Sequence, residues 1–105
     1  MNQYFDLFED GIDTVHRNWT GSSDVLDSEV LFATYTYEGY SGAAFLIYKR
    51  DGKLFEVHDA HCSCYGLENW EPEETSWAAL AMRDNSGYGQ DADKFLTDLI
   101  KNEGK

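Results

Sequence analysis

The chain is poor in basic residues and has no long apolar run. It holds 8 Lys and Arg residues against 20 Asp and Glu residues, for a formal net charge of -12. Phosphate contacts depend on Lys and Arg, so this composition argues against direct binding of nucleic acid and of an anionic membrane surface. The longest apolar run covers residues 43–48, whereas a membrane-spanning helix needs about 20 apolar residues. A protein partner with a basic surface fits the charge, although solubility alone also accounts for it.

Cysteine and proline are also scarce, with two cysteines, Cys62 and Cys64, and one proline, Pro72. Two cysteines separated by one residue do not form an ordinary structural disulfide, because an extended chain points their side chains in the wrong direction. The first ten residues lack the basic region and the apolar stretch of a secretory signal peptide. These features predict a cytoplasmic protein whose thiols stay reduced.

The length and the apolar content predict one domain that covers residues 1–105. With 105 residues and 42% hydrophobic residues, the chain is large enough for a single continuous core. Aromatic residues make up 15% of the sequence, which is more than a small core needs. We therefore expect some Tyr and Trp rings at the surface, where they favour contacts with a partner.

The first twenty residues carry an apolar stripe with helical spacing. Its members follow one another at alternating intervals of three and four positions and are Phe5, Phe8, Ile12, Val15 and Trp19. This spacing predicts an amphipathic helix over residues 3–18. Gly11 lowers the stability of that helix, because glycine has a low helix propensity. In an alternative interpretation, Gly11 divides the segment into two helices.

The middle of the chain predicts an antiparallel meander of at least three strands, at about residues 30–37, 43–49 and 53–58. Asp51-Gly52 between two strand-like runs is typical of a type I′ hairpin turn. Ser76 precedes a short apolar run and predicts a helix start. A second apolar stripe, over residues 92–100, predicts a C-terminal helix. The fold class is therefore α+β, with an N-terminal helix and two C-terminal helices on one face of the sheet.

One short stretch, residues 58–64, holds four potential zinc ligands, His58, His61, Cys62 and Cys64. Two thiolates and two imidazoles suit tetrahedral zinc. One short loop seldom directs four side chains toward the same metal ion. A zinc site here would therefore need at least one ligand from elsewhere, such as His16, or from a second chain. The alternative is that the cysteines are small buried side chains and that His58 ends a strand. If the cysteines and His58 are structural, we expect the protein to have no cofactor. Zinc binding is the competing hypothesis.

A catalytic role has little support in the sequence. A cysteine nucleophile with a histidine base is conceivable in the same stretch, but no oxyanion-hole pattern accompanies it. The chain has no phosphate-binding loop and no dinucleotide fingerprint. We therefore assign no catalytic residue and expect a protein that is not an enzyme.

The acidic stretch that follows mixes carboxylates with aromatic rings. Such a surface fits an Arg-rich protein partner, and its candidate contact residues are Tyr65, Glu68, Trp70, Glu71, Glu73 and Glu74. Other tyrosines also lie beside acids near turns and strand ends, among them Tyr35, Tyr37 and Tyr88. The competing interpretation is that these acids form a solvated face or the negative start of a helix.

Residues 61–68, HCSCYGLE, and residues 70–76, WEPEETS, resemble small uncharacterised proteins encoded by bacteriophages and prophages. The resemblance covers about residues 30–80, and it carries no activity, cofactor or catalytic residue. It implies a protein made in the cytoplasm of a host bacterium. Small acidic phage proteins of this kind often inhibit host enzymes or defence systems.

Charge and resemblance together favour a protein that binds and modulates a host or phage protein. One route is imitation of nucleic acid, as in an anti-defence or anti-CRISPR role. The alternative is a metal-binding or thiol-based small enzyme centred on residues 58–64. A structural component of the phage particle is a third hypothesis.

Overall fold

The computed structural model of the protein describes residues 3–38, 41–62 and 66–104. The elements in chain order are β1 (Tyr4–Asp6), α1 (Ile12–Asn18), β2 (Val30–Glu38), β3 (Ser41–Arg50), β4 (Lys53–Cys62), β5 (Glu73–Thr75), α2 (Trp77–Ala81) and α3 (Gln90–Glu103). Two short 3-10 turns, Ser22–Asp24 and Asp27–Glu29, lie between α1 and β2.

The described strands form one sheet of five in the order β1-β2-β3-β4-β5. The strand β1 runs parallel to β2, and all other neighbours are antiparallel. The predicted α+β class and the central meander are thus confirmed, and the two short edge strands β1 and β5 are additions to it. In the β3–β4 turn, Asp51 and Gly52 have φ values of 54° and 78°. Both values are positive, as a type I′ turn requires.

The predicted N-terminal helix is wrong in its first half. Tyr4–Asp6 is a strand, and the helix begins only at Ile12, after Gly11 with φ 102°. The helical spacing of the apolar residues is misleading here, because alternate residues of a strand point to opposite faces of the sheet. Tyr4 is buried on one face, whereas Phe5 packs on the other. The apolar stripe therefore runs through a strand, a turn and a short helix rather than along one helix.

Helices cover both faces of the sheet, and the prediction of a single covered face is wrong. On the face that we call the α1 face, α1 packs over residues such as Tyr35, Leu46 and Val57. On the opposite face, which we call the α3 face, Leu80 of α2 and Leu96 of α3 pack over a second cluster of strand residues. The central strands alternate between two buried faces, which explains their nearly continuous apolar sequence.

The C-terminal helices begin and end close to where the sequence predicts. Ser76 caps α2, and its side-chain oxygen accepts a hydrogen bond from the backbone N–H of Ala79 at 3.0 Å. In α3, Ala92 and Leu96 are the buried residues of the apolar stripe. Within the described ranges, no helix combines the length and the apolarity needed to cross a membrane.

Candidate functional site

The structure separates the two histidines of the predicted zinc site. His58 and His61 both belong to β4, three positions apart, so their side chains leave opposite faces of the sheet. Cys62 ends the same strand, but its side chain is outside the described part of the structure, as is the whole of Cys64. A single metal ion cannot take both histidines as ligands. Zinc binding by the remainder of the set stays a prediction.

On the α3 face, His58 belongs to a network around a buried carboxylate. Its Nε2 atom donates a hydrogen bond of 2.6 Å to the carboxylate of Glu56, and its ring stacks on Phe45 at a centroid distance of 4.1 Å. Arg83 also donates to the Glu56 carboxylate. Burial of Glu56 raises its pKa, but the hydrogen bonds from Arg83, Thr75 and His58 outweigh burial and hold it below the ordinary value. The carboxylate is therefore charged and fully partnered at neutral pH.

On the α1 face, His61 contacts two tyrosines of β2. Its Nε2 atom is 2.5 Å from the Tyr35 hydroxyl, and its ring centroid is 5.3 Å from that of Tyr37. His16 is also engaged, because its Nε2 atom hydrogen-bonds the carbonyl of Val25 at 2.9 Å. Among the residues that the structure describes, no three His, Cys, Asp or Glu side chains form a group that could hold a metal ion.

The predicted partner-binding stretch divides into a packed ring and a row of exposed acids. Trp70 packs edge-on against Trp19, with ring centroids 5.0 Å apart, and is a partly buried ring on the core of the α1 face. Four acids, Glu68, Glu71, Glu73 and Glu74, are exposed. Tyr65 lies outside the described residues. The last two acids sit on the edge strand β5, where charge protects an open sheet edge from aggregation.

A second acidic surface, which sequence reasoning missed, lies where β1 ends beside β2. It is a groove of about 540 Å³, called here the acidic groove, and its lining residues are Asp6, Leu7, Glu9, Tyr35, Thr36, Tyr37, Glu38, Gly87, Tyr88 and Gly89. This set contains three carboxylates and three tyrosines, and no Lys, Arg or His of the described chain lines it. The groove therefore combines negative charge with aromatic rings.

The side chains of the groove are held by the fold around it. Asp6 accepts a hydrogen bond of 2.9 Å from the Thr34 hydroxyl, which fixes its carboxylate beside the sheet. Tyr88 packs on Phe45 at a centroid distance of 5.7 Å. Burial raises the pKa of the Tyr35 and Tyr88 hydroxyls. Both phenols remain protonated at neutral pH and keep their capacity to donate hydrogen bonds.

Part of the groove is predictable from the sequence. Tyr35, Tyr37 and Tyr88 stand beside acids near strand ends and turns, a pattern that favours a binding surface. The helix predicted over residues 3–18 includes Asp6 and Glu9, which the structure places at the end of β1 and in the turn that follows it. The groove joins three chain segments, residues 6–9, 35–38 and 87–89, which local patterns cannot bring together.

Comparison of the chain with protein-family models, with curated proteins and with solved structures gave no match.

Proposed function

We propose that the protein binds a basic surface of another protein and modulates that protein, most simply by inhibiting it. The single observation that carries the proposal is the acidic groove, with its three carboxylates, three tyrosines and lack of any lining cation among the described residues. Carboxylates attract Lys and Arg side chains over long range and speed the encounter with a basic partner. Tyrosine faces then hold a guanidinium or ammonium group by cation–π contact.

The charge distribution over the described surface supports the same proposal. Arg50 is neutralised by Glu29 and Asp24, and Arg83 by Glu56. Most other carboxylates of the described chain are exposed and take no part in these ion pairs. The two arginines therefore consolidate the fold and do not offset the negative charge around the groove.

The proposed setting is the cytoplasm of a bacterium that carries phage or prophage genes. Two features support it: the resemblance of residues 30–80 to phage-encoded proteins, and a composition that fits a reducing compartment. A partner that uses its basic surface to hold nucleic acid would lose that surface to this protein. In this proposal the protein imitates nucleic acid, as an inhibitor of a bacterial defence system such as CRISPR would.

Affinity capture from a bacterial lysate tests the proposal. The immobilised protein is incubated with lysate at about 50 mM salt, eluted at about 500 mM salt, and the released proteins are identified by mass spectrometry. The groove variant is Glu9→Gln with Glu38→Gln. The matched control is Glu71→Gln with Glu74→Gln, which removes the same charge from another exposed surface. We expect a partner that the wild type and the control retain and that the groove variant loses.

Two outcomes contradict the proposal. Retention that does not respond to salt excludes a charge-led interface, as does the absence of any retained partner at either salt concentration. Loss of the partner from the Glu71 and Glu74 variant alone would instead assign binding to the stretch at residues 68–74 and not to the groove.

A further inference from the structure

The strand β1 covers only part of the length of β2. Their pairing ends at Asp6 opposite Tyr35, whereas β2 continues to Glu38. On the side away from β3, no other strand of the described chain pairs with Thr36–Glu38. This short segment of β2 therefore has a free edge beyond the end of β1.

The backbone of Tyr37 presents its hydrogen-bonding groups to that free edge. The Ala33 N–H donates to Gln3 and the Tyr35 carbonyl accepts from Leu7, both at 3.0 Å, so these residues face the β1 side. Backbone groups of alternate residues in a strand point to the same side, so the N–H and the carbonyl of Tyr37 also face the β1 side. After Leu7 the chain folds back on itself through a hydrogen bond of 3.0 Å from Glu9 to Asp6. No described backbone group bonds to Tyr37 in place of β1.

The free edge belongs to the acidic groove. Its residues, Thr36–Glu38, line the groove together with Leu7, Glu9 and Gly87–Gly89. Leu7 is 51% exposed and Tyr37 is 44% exposed. These are two of only four large hydrophobic residues of the described chain that are so exposed, and both line the groove. Apolar contact, negative charge and unpaired backbone groups thus occur at one place.

We propose that an extended basic segment of the partner protein adds to β2 as a strand at Tyr37, in line with β1. This proposal rests on the proposed function and specifies how the partner is held. Main-chain hydrogen bonds to Tyr37 fix the segment, and alternate side chains reach the two sides of the groove. The three groove carboxylates select Lys or Arg on that segment. A second copy of this chain is disfavoured as the occupant, because its own carboxylates would face those of the groove.

The probe is a capped peptide of nine residues in which Arg and Val alternate, and its binding to the full-length protein is measured by calorimetry at low salt. Two further peptides have the same sequence but carry N-methyl groups on alternate backbone amides, on the odd positions in one and on the even positions in the other. A strand directs alternate amides to opposite sides. We therefore expect one methylated peptide to bind about tenfold more weakly or worse, and the other to bind like the parent.

A pair of variants tests the edge on the protein side. Tyr37→Pro removes the N–H that faces the groove, whereas Tyr37→Thr removes the ring but keeps that N–H. The proline is compatible with the fold because this N–H is not part of the β2–β3 ladder. We expect binding of the parent peptide to be lost in Tyr37→Pro and weakened less in Tyr37→Thr. In the wild type, we expect hydrogen exchange at the Tyr37 amide to slow when the peptide is added.

Equal binding of both methylated peptides, with no change in exchange at Tyr37, would overturn strand addition and leave the basic-partner proposal intact. Failure of the parent peptide to bind at low salt would also overturn strand addition. The lysate experiment tests the proposed function separately, because its result does not depend on how the partner is held.

Discussion

The Tyr35 hydroxyl and the His61 Nε2 atom lie 2.5 Å apart, in the space that a side chain at position 42 would occupy. A Cβ atom added to Gly42 would be 2.5 Å from His61 Nε2 and 3.0 Å from Tyr35 Cε1. The hydrogen bond therefore spans β3 and links β2 to β4 on the α1 face. Because Tyr35 also lines the acidic groove, this link holds one of the groove's rings in position.

The first prediction concerns Gly42→Ala. The added methyl group must displace His61 or Tyr35, so we expect the free energy of unfolding to fall by about 1–3 kcal/mol. Urea unfolding followed by tryptophan fluorescence measures the change. Gly66→Ala is the matched control, since the nearest atom to its added Cβ is 4.0 Å away. If Gly42→Ala and Gly66→Ala unfold at the same urea concentration, then Gly42 has no steric role in placing His61.

The second prediction concerns the pair of Glu56 and Arg83. Glu56 is 5% exposed, and Arg83 donates a hydrogen bond to its carboxylate. Arg83→Met leaves a buried charge short of a donor, so we expect a loss of about 1–3 kcal/mol at pH 7. The double variant Glu56→Gln with Arg83→Met should recover part of that loss, because it removes the buried charge. Glu73→Gln, an exposed acid on β5, is the control and should have little effect.

The effect of Arg83→Met should depend on pH. In the wild type the pKa of Glu56 is held below the ordinary 4.5. A lowered pKa contributes stability above the unfolded value, and that contribution is lost as the pH falls through the folded value. In Arg83→Met the hydrogen bond and the positive charge of Arg83 are lost, so the pKa of Glu56 is higher than in the wild type. Urea midpoints of the wild type and the variant should therefore converge as the pH falls below 4.5 and through the wild-type pKa of Glu56. A difference that is constant from pH 7 to pH 3 would contradict this account.

The parts of the fold that were predicted correctly depend on local chemistry. Asp51-Gly52 requires a particular turn, and that turn alone sets the β3–β4 register, in which Phe45 pairs with His58. Ser76 signals the start of α2 through a hydrogen bond within one turn of helix. The strand β1 could not be predicted in the same way, because it exists through pairing with Ala33–Tyr35, far along the chain. Local periodicity carries no information about that partner.

The relative placement of the two histidines could not be predicted for a related reason. The sequence predicts that β4 ends at His58, so His61 is expected in a loop, where its direction is not set by strand geometry. In fact β4 continues to Cys62, so strand geometry sends His58 and His61 to opposite faces. The exposed acids at residues 68–74 were identified from sequence, whereas the acidic groove required the tertiary structure.

The third prediction concerns zinc. Because His58 and His61 lie on opposite faces of the sheet, one zinc ion cannot take both as ligands, and the predicted set of four loses at least one member. We expect protein purified without added zinc to contain well below one equivalent of metal. We also expect its urea midpoint to be unchanged by a chelator, because a structural zinc site contributes directly to folding. Stoichiometric zinc, lost together with stability when Cys62 and Cys64 are replaced by Ser, would restore the metal hypothesis.

The fourth prediction separates a packing role for Trp70 from a binding role. The Trp70 ring lies edge-on to Trp19 and parallel to Tyr48, with centroid distances of 5.0 Å and 6.1 Å. We expect Trp70→Ala to lower the free energy of unfolding by about 2–4 kcal/mol, because truncation opens a cavity beside a buried ring. Trp70→Phe keeps most of the contact and should cost less than half as much. Urea unfolding measures both changes.

The neighbouring acid provides the contrast, since Glu71 is exposed and Glu71→Gln should leave the urea midpoint unchanged. If Trp70→Ala is as stable as the wild type and yet loses a captured partner, then Trp70 is a contact residue and not a core residue. If stability falls in Trp70→Ala while Trp70→Phe retains the partner at full strength, the ring acts through packing. Partner binding is then expected at another surface, for which the acidic groove is the proposed site.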